Sequence, residues 1–255
     1  MESAVDNGEI ALITGANKGI GRQIAHRLAR AGMTVFLGAR DAERGERAAA
    51  ELREDGSDVR FVQLDVTDQA QVNAAAEHVG EAAGRLDVLV NNAGVVSEWG
   101  VPVTGITAEQ MRRTFEVNVF GVVAVTQACL PLLSRSAAGR VVNLSSPLGS
   151  LALLSDSQNP ISTRGLLTYS SSKAALNAIT LVYANALRDS GIRVNSVNPG
   201  LVATDLNAPS PFSRGVLTPE QGAEVPVRLA LSRDSGPTGE FRGDMSGSAD
   251  EHIPW

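Results

Sequence analysis

Cysteine and histidine are almost missing from this chain: one cysteine and three histidines in 255 residues. A single cysteine excludes an internal disulfide and any cysteine-rich metal site, and it fits a reducing compartment. Cys129 lies in VVAVTQACLPLL, where it reads as a small buried hydrophobe rather than a nucleophile. His26, His78 and His252 are far apart and show no ligand spacing, so no metal is expected. Positive charge is also short. Twenty-two Lys and Arg face 28 Asp and Glu, for a net charge of −6, and no basic block occurs. Nucleic acid and anionic membrane are therefore excluded as main partners, although a local basic pocket is not. No run of about 18 apolar residues suggests a membrane span, and the first residues, MESAVDNGEIALITG, lack a secretory leader. Repeats, heptads and low-complexity tracts are absent too. These absences leave a cytoplasmic α/β protein, whose 43% hydrophobic residues suffice for a large core.

What is present is alternation. EIALIT (Glu9 to Thr14), TVFLGA (Thr34 to Ala39), VRFVQL (Val59 to Leu64), LDVLVNN (Leu86 to Asn92), RVVNLS (Arg140 to Ser145) and IRVNSVN are short, β-branched and mostly apolar. Such runs suit strands covered on both faces. Alanine-rich amphipathic segments separate them, several closing at a glycine: GRQIAHRLARAG, DAERGERAAAELREDG and DQAQVNAAAEHVGEAAG. Longer helices are expected from Ala108 towards Ser134 and from Tyr169 to about Ser190. A helix near Pro219 to Leu231 and a weak strand around Glu240 to Phe241 follow. The order predicts one doubly wound parallel sheet, Rossmann-like, with helices on both faces and no linker, so a single domain over 1–255. In such sheets ligands sit beyond the carboxyl ends of the strands.

TGANKGIG (Thr14 to Gly21) follows the first strand and opens the first helix. Gly15 permits a tight turn, while Gly19 and Gly21 leave room for a pyrophosphate and for helix–strand packing. The helix N-terminus then offers N–H groups and a positive dipole end to phosphates. At the end of the second strand, where a carboxylate would grip an NAD ribose, stand Ala39 and Arg40. Arg40 with Lys18 suits a 2′-phosphate, so NADP(H) is the expected cofactor. Both could instead be surface cations, and Asp41 could neutralise Arg40 or cap a helix. Asp65, closing the third strand, is placed to meet adenine or to cap the next helix.

TGANKGIG, LDVTD, NNAG (Asn91 to Gly94), EVNVFG around Asn118, LSS (Leu144 to Ser146), YSSSK (Tyr169 to Lys173) and NPGLVAT (Asn198 to Thr204) follow in one order along nearly the whole chain. In that order the chain resembles the short-chain dehydrogenase/reductase family. Within it, NKGIG, GARD, GRVVNLSS, TPEQGAEVPVRLAL and the terminal tryptophan resemble carbonyl reductases. The resemblance implies an NADPH-dependent reductase of aldehydes or ketones with catalytic Asn118, Ser146, Tyr169 and Lys173. Ser146 is chosen over Ser145 by its place three residues before Gly149, with Ser145 facing the other side of the strand. It implies cofactor contacts at Gly15, Asn17, Lys18, Gly19, Ile20, Gly21, Arg40, Asp65, Val66, Asn92, Ala93, Gly94, Tyr169, Lys173, Pro199, Gly200, Val202 and Thr204. The family role of Asn118 is to hold a water in a proton relay to Lys173.

The chemistry of YSSSK is independent of that likeness. A hydride arriving at a carbonyl carbon leaves charge on oxygen, which needs a proton. A free tyrosine titrates near pH 10, too high for exchange at neutrality, and an ammonium beside it should lower that value. Tyr169 and Lys173 are four residues apart, hence on one helix face. Lys173 could also donate to the nicotinamide ribose while Ser146 bonds the substrate oxygen. Tyr-x-x-x-Lys alone arises by chance on many helices, and the serines between read as small residues with no chemistry of their own.

Segment 147–168 is longer than in compact relatives, and is read as a flexible loop or a substrate-side lid. A comparable insertion in carbonyl reductases obstructs the face used for tetramers, so a monomer is mildly preferred, with dimer or tetramer open. Val95, Trp99, Leu148, Leu201 and Phe212, the last two within a substrate-side segment 201–217, suggest an uncharged, fairly hydrophobic carbonyl substrate. An NAD-dependent alcohol dehydrogenase and a catalytically idle NADP-binding sensor are the alternatives.

Overall fold

A computed structural model describes residues 8–210, 215–233, 236–243 and 251–255. Eight strands form one sheet: β1 (Ile10–Ile13), β2 (Thr34–Ala39), β3 (Val59–Gln63), β4 (Val88–Asn91), β5 (Arg140–Leu144), β6 (Arg193–Asn198), β7 (Phe241–Gly243) and β8 (Glu251–His252). Their order is β3-β2-β1-β4-β5-β6-β7-β8, parallel except for β8, which pairs antiparallel with β7 through Arg242 and His252. The doubly wound parallel sheet expected from the sequence is the one found. The last strand begins at Phe241 instead of Glu240, and β8 carried no sequence signal because two residues set no period.

Every residue of β1 and β4 is buried, as both faces are covered. Alternation divides β1 cleanly. Ala11 and Ile13 pack with Ile24, Leu28, Ala48 and Leu52 of α1 (Gly19–Arg30) and α2 (Ala42–Arg53). Ile10 and Leu12 face the opposite core, with Val72 and Val79 of α3 (Gln69–Ala83) and Val125 and Cys129 of α5 (Gly121–Leu133). Asp41 caps α2 by accepting from Arg44 N–H. Asp68, not Asp65, caps α3.

The helix expected from Ala108 towards Ser134 is continuous but not uniform. It runs as α4 (Ala108–Phe115), a π-helical turn at Glu116–Phe120, then α5. By length and composition Ala108–Leu133 could cross a bilayer, against the expectation of no such apolar run. Here it is a core helix: Val122, Val125, Cys129, Leu132 and Leu133 are buried, and the midpoint residue Asn118 is fully buried in polar company. The helix expected at Pro219 to Leu231 breaks at Ala223 into α8 (Pro219–Gly222) and α9 (Glu224–Leu231). Between β5 and β6 lie α6 (Leu151–Ser155) and α7 (Leu167–Ala186). Strand order reverses between β1 and its neighbours β2 and β4, so the crevice opens beyond the carboxyl ends of β1 and β4.

Candidate active site

The glycine turn floors that crevice. Gly15 has a φ of 63°, in the left-handed region. A side chain at Gly21 would come within 2.4 Å of Asn92 Nδ2, so the turn and the loop after β4 are pressed together. Asn92 locks them, donating from Nδ2 to the carbonyls of Thr14 (2.8 Å) and Gly15 (3.0 Å). No side chain caps the start of α1.

Two cavities meet over this floor. The first, about 550 Å³, is lined by Gly15, Asn17, Lys18, Gly19, Ile20, Gly21, Arg40, Asp65, Val66, Asn92, Ala93, Gly94, Tyr169, Lys173, Pro199 and Thr204. Gly200 and Val202, expected with them, line the second cavity instead, of about 540 Å³. Trp99, Leu148, Leu201 and Ser146 also line the second. Val95 does not: it lines the first, and Val96 stands in the second. Phe212 lies outside the described residues. Ile20, Ser145, Tyr169, Pro199, Thr204 and Leu206 belong to both walls, so Tyr169 stands at the junction.

α7 carries Tyr169 and Lys173 on one face, with Lys173 Nζ 5.5 Å from the tyrosine ring centroid. Lys173 is buried, and its Nζ donates to Leu144 O at 2.7 Å. Burial pulls its ammonium down from 10.5 to about 8. The same cause pushes the Tyr169 phenol up to about 12, with a hydrogen bond from Ser146 acting the other way. The lowering of the phenol expected from the neighbouring ammonium is thus outweighed by desolvation of the ring, although Tyr169 remains half-exposed as a wall residue of the crevice. A neutral phenol is a proton donor at every physiological pH, while an ammonium titrating near 8 is readily switched.

Asn118 stands behind the wall rather than in it. Its Oδ1 accepts from Val95 N–H (2.9 Å), and its Nδ2 donates to Val95 O (3.0 Å) and Ser172 Oγ (3.1 Å). The π-turn supplies this orientation by adding a residue to the helix. Gly94 lies between Asn118 and Lys173: a Cβ there would sit 3.5 Å from Asn118 Oδ1 and 3.8 Å from Lys173 Nζ. Ser145 and Ser146 diverge as expected. Ser145 Oγ donates to Asn177 Oδ1 (2.7 Å) in the interior, whereas Ser146 opens onto the second cavity.

Three features of the site lay beyond what the motifs could report. The serines of YSSSK are not idle: Ser170 Oγ accepts from Leu166 N–H, and Ser172 accepts from Asn118 while donating to Tyr169 O. Close packing on α7 comes instead from Gly149, whose Cβ would lie 2.5 Å from the Lys173 carbonyl carbon. Lys18 and Arg40 are not brought onto one point; Lys18 pairs with Asp205 (2.8 Å), and Arg40 lies 3.9 Å from Asp65. Segment 147–168 is a wall, with Leu148, Ile161, Arg164 and Leu166 facing the second cavity.

A residue with no sequence signal completes the site. Glu98, buried to 1% exposure, accepts from Thr168 Oγ1 and from the backbone N–H of Tyr169, each at 2.8 Å. The N-cap of α7 is a leucine without a capping side chain, so this distant carboxylate does the capping at the positive end of the helix. Beside it, Trp99 Nε1 donates to Leu206 O (2.9 Å), tying the loop after β4 to the segment after β6.

A sequence model of the short chain dehydrogenase family matches residues 9–213. The chain belongs to that family. Among relatives of this dehydrogenase, (+)-neomenthol dehydrogenase of Arabidopsis thaliana is 34% identical, over 89% of this chain and 93% of the relative. Carbonyl reductase [NADPH] 1 of Sus scrofa is also 34% identical, over 98% of each. The solved structure of NADPH-bound carbonyl reductase from chicken fatty liver superimposes with a TM-score of 0.79 at 28% identity, covering 92% of this chain and 95% of that one. The short-chain dehydrogenase described here is therefore an oxidoreductase of the alcohol–carbonyl class, near the carbonyl reductases, in a family that uses a nicotinamide cofactor.

Proposed function

We propose that this short-chain dehydrogenase is an NADPH-dependent reductase that converts the carbonyl of a small, largely apolar aldehyde or ketone to an alcohol. The observation carrying the reading is Tyr169 at the junction of two cavities, one floored by the glycine turn and one walled by apolar loops. The first cavity fits the cofactor by its own chemistry: a floor of turn glycines, Gly15, Gly19 and Gly21, at the start of α1, and a buried ammonium, Lys173, in its wall. When bound, the nicotinamide supplies the hydride. Gly15, Asn17, Gly19, Ile20 and Gly21 would hold its phosphates through backbone groups at the start of α1. Asp65 and Val66 would meet adenine, and Asn92, Ala93, Gly94, Pro199 and Thr204 would pass the nicotinamide half towards Tyr169. Lys173, with donors left beyond its bond to Leu144, would bind ribose hydroxyls.

In the second cavity Ser146 hydrogen-bonds the substrate oxygen and Tyr169 donates a proton to it as negative charge develops there. Glu98 and Ser172 fix the backbone of Tyr169 from two sides, and Asn118, anchored to Val95 and Ser172, would hold a water on the route from Lys173. Preference for NADPH is supported by the lack of a carboxylate at Ala39, by Arg40 and by the names of the NADPH carbonyl reductases among the relatives. The acid partners found for Lys18 and Arg40 favour the competing NADH reading. Following nicotinamide absorbance with NADPH or NADH against a panel of aldehydes, ketones and quinones separates them. Faster turnover with NADPH is expected. Faster turnover with NADH would remove the roles of Lys18 and Arg40, and tight NADP binding without turnover would leave only a sensor.

A further inference from the structure

The second cavity holds an asymmetry that the reaction does not require. Among the described residues, its wall includes one permanently charged side chain, Arg164, and no carboxylate. The rest of that wall is apolar or neutral: Val96, Trp99, Leu148, Ile161, Leu166 and Leu201 among others. In a chain of net charge −6, most arginines find an acid; Arg22, Arg53, Arg60, Arg85 and Arg140 each lie within about 3 Å of one. Among the described residues, the Arg164 guanidinium has no ion-pair or hydrogen-bond partner.

Its place is set by local structure. Asn159 organises the turn that carries it, accepting from Ile161 N–H at its side chain and from Ser162 N–H and Oγ–H at its carbonyl. Arg164 N–H then donates to Ile161 O at 3.0 Å. Arg164 precedes Tyr169 by five residues, and both line the same 540 Å³ space, within the size range of a small-molecule pocket. Three acids near this part of the chain have partners of their own: Asp205 pairs with Lys18, Glu98 accepts from Tyr169 N–H and Thr168, and Asp156 accepts from Gln158 N–H.

We infer that Arg164 is a specificity residue and that the physiological substrate joins its carbonyl to an anionic group, a carboxylate, through an apolar body. This rests on the reductase reading above and replaces the uncharged substrate suggested by the loop residues alone. The planar guanidinium offers a carboxylate two parallel N–H donors, while an apolar wall gives a neutral competitor no comparable gain. Substrate would enter with its carbonyl at Ser146 and Tyr169 and its acid at the turn 159–164. No step of the chemistry passes through Arg164, so the effect belongs to KM.

The test compares acid and methyl ester pairs: 4-formylbenzoate with methyl 4-formylbenzoate, and 5-oxo-5-phenylpentanoate with its methyl ester, using NADPH. Native protein should favour each acid by about tenfold in kcat/KM, the size of one charge-assisted hydrogen bond at a partly wet site, with the preference shrinking as salt rises. Arg164→Gln should bring the acid-to-ester ratio to about one, and Arg164→Glu should invert it. A ratio unchanged in Arg164→Gln, or a native preference for the esters, overturns the inference and leaves the reductase standing. Failure to reduce ester and acid alike, with either nicotinamide, overturns both.

Discussion

Two ends of one sheet each bury a cation, and they use it differently. At the amino end Arg140, 2% exposed, spends its guanidinium on Ala230 O (2.7 Å), Ala138 O (2.6 Å) and Glu9 Oε1 (3.0 Å). Asp87 closes the same end, accepting from Ile10 N–H at 2.8 Å and from Arg85. At the carboxyl end Lys173 is nearly as buried, yet its three donors make one bond, to Leu144. A buried cation with every nitrogen engaged fastens strands together; one with donors to spare, beside a cavity, is equipped for a ligand.

The largest effect that could break this contrast is at Tyr169. Tyr169→Phe should lower kcat/KM by about a thousandfold, the scale of lost general acid catalysis, with melting temperature nearly unchanged. A collapse in stability instead would make α7 a structural element only. Arg140→Met should do the reverse. Glu9 keeps its ion pair with Arg233, so the loss in denaturant unfolding should be about 1–3 kcal/mol, while turnover per folded molecule stays near native. Equal loss of activity and stability in both variants would erase the distinction between the two ends.

The contrast can be sharpened by pH. Lys173 binds its proton less tightly folded, near 8, than unfolded, at 10.5. Between those values the unfolded chain holds more protons at this site, so folding stability should rise by about 0.5–1 kcal/mol between pH 8 and 9, above which the buried Cys129 thiol, pushed up from 9.0 to about 12, opposes the gain. Above 10 the trend reverses, since the unfolded tyrosine loses its proton before the folded one, near 12. Thermal melts of Lys173→Met should lack the rise. The smallest effect is at Glu98. Glu98→Ala leaves the Tyr169 N–H unpaired and the Thr168 hydroxyl with Thr114 alone, for about 1–2 kcal/mol of stability and a lowered kcat. Glu98→Gln, which keeps an acceptor, should recover much of the kcat.

The sheet was legible because its signals are local: apolar runs of strand length, glycine stops, and TGANKGIG at a strand's end. The tyrosine and lysine were legible for the same reason, four residues apart on one helix. What could not be read depended on distance in the chain. Glu98 is 71 residues from Tyr169, and Asp205, which turns Lys18 aside, is 187 residues from it. Residues 159–164 carry no period, so their arrival at the second cavity was hidden until the chain closed. The phenol's titration was misjudged because spacing reports the neighbouring charge but not the desolvation that opposes it.

Lysine occurs only at positions 18 and 173, and both face the first cavity. Every side-chain amine of the protein therefore sits in one crevice, the deeper of them already half free base near pH 8. Acylating or reductively alkylating reagents have no side-chain amine elsewhere on the molecule to consume. Uptake beyond that of the terminal α-amine then reports open crevices, shielded in proportion to occupancy by any dinucleotide. Attachment to a solid support through side-chain amines would for the same reason seal the protein, whereas coupling through its many surface carboxylates would leave it open.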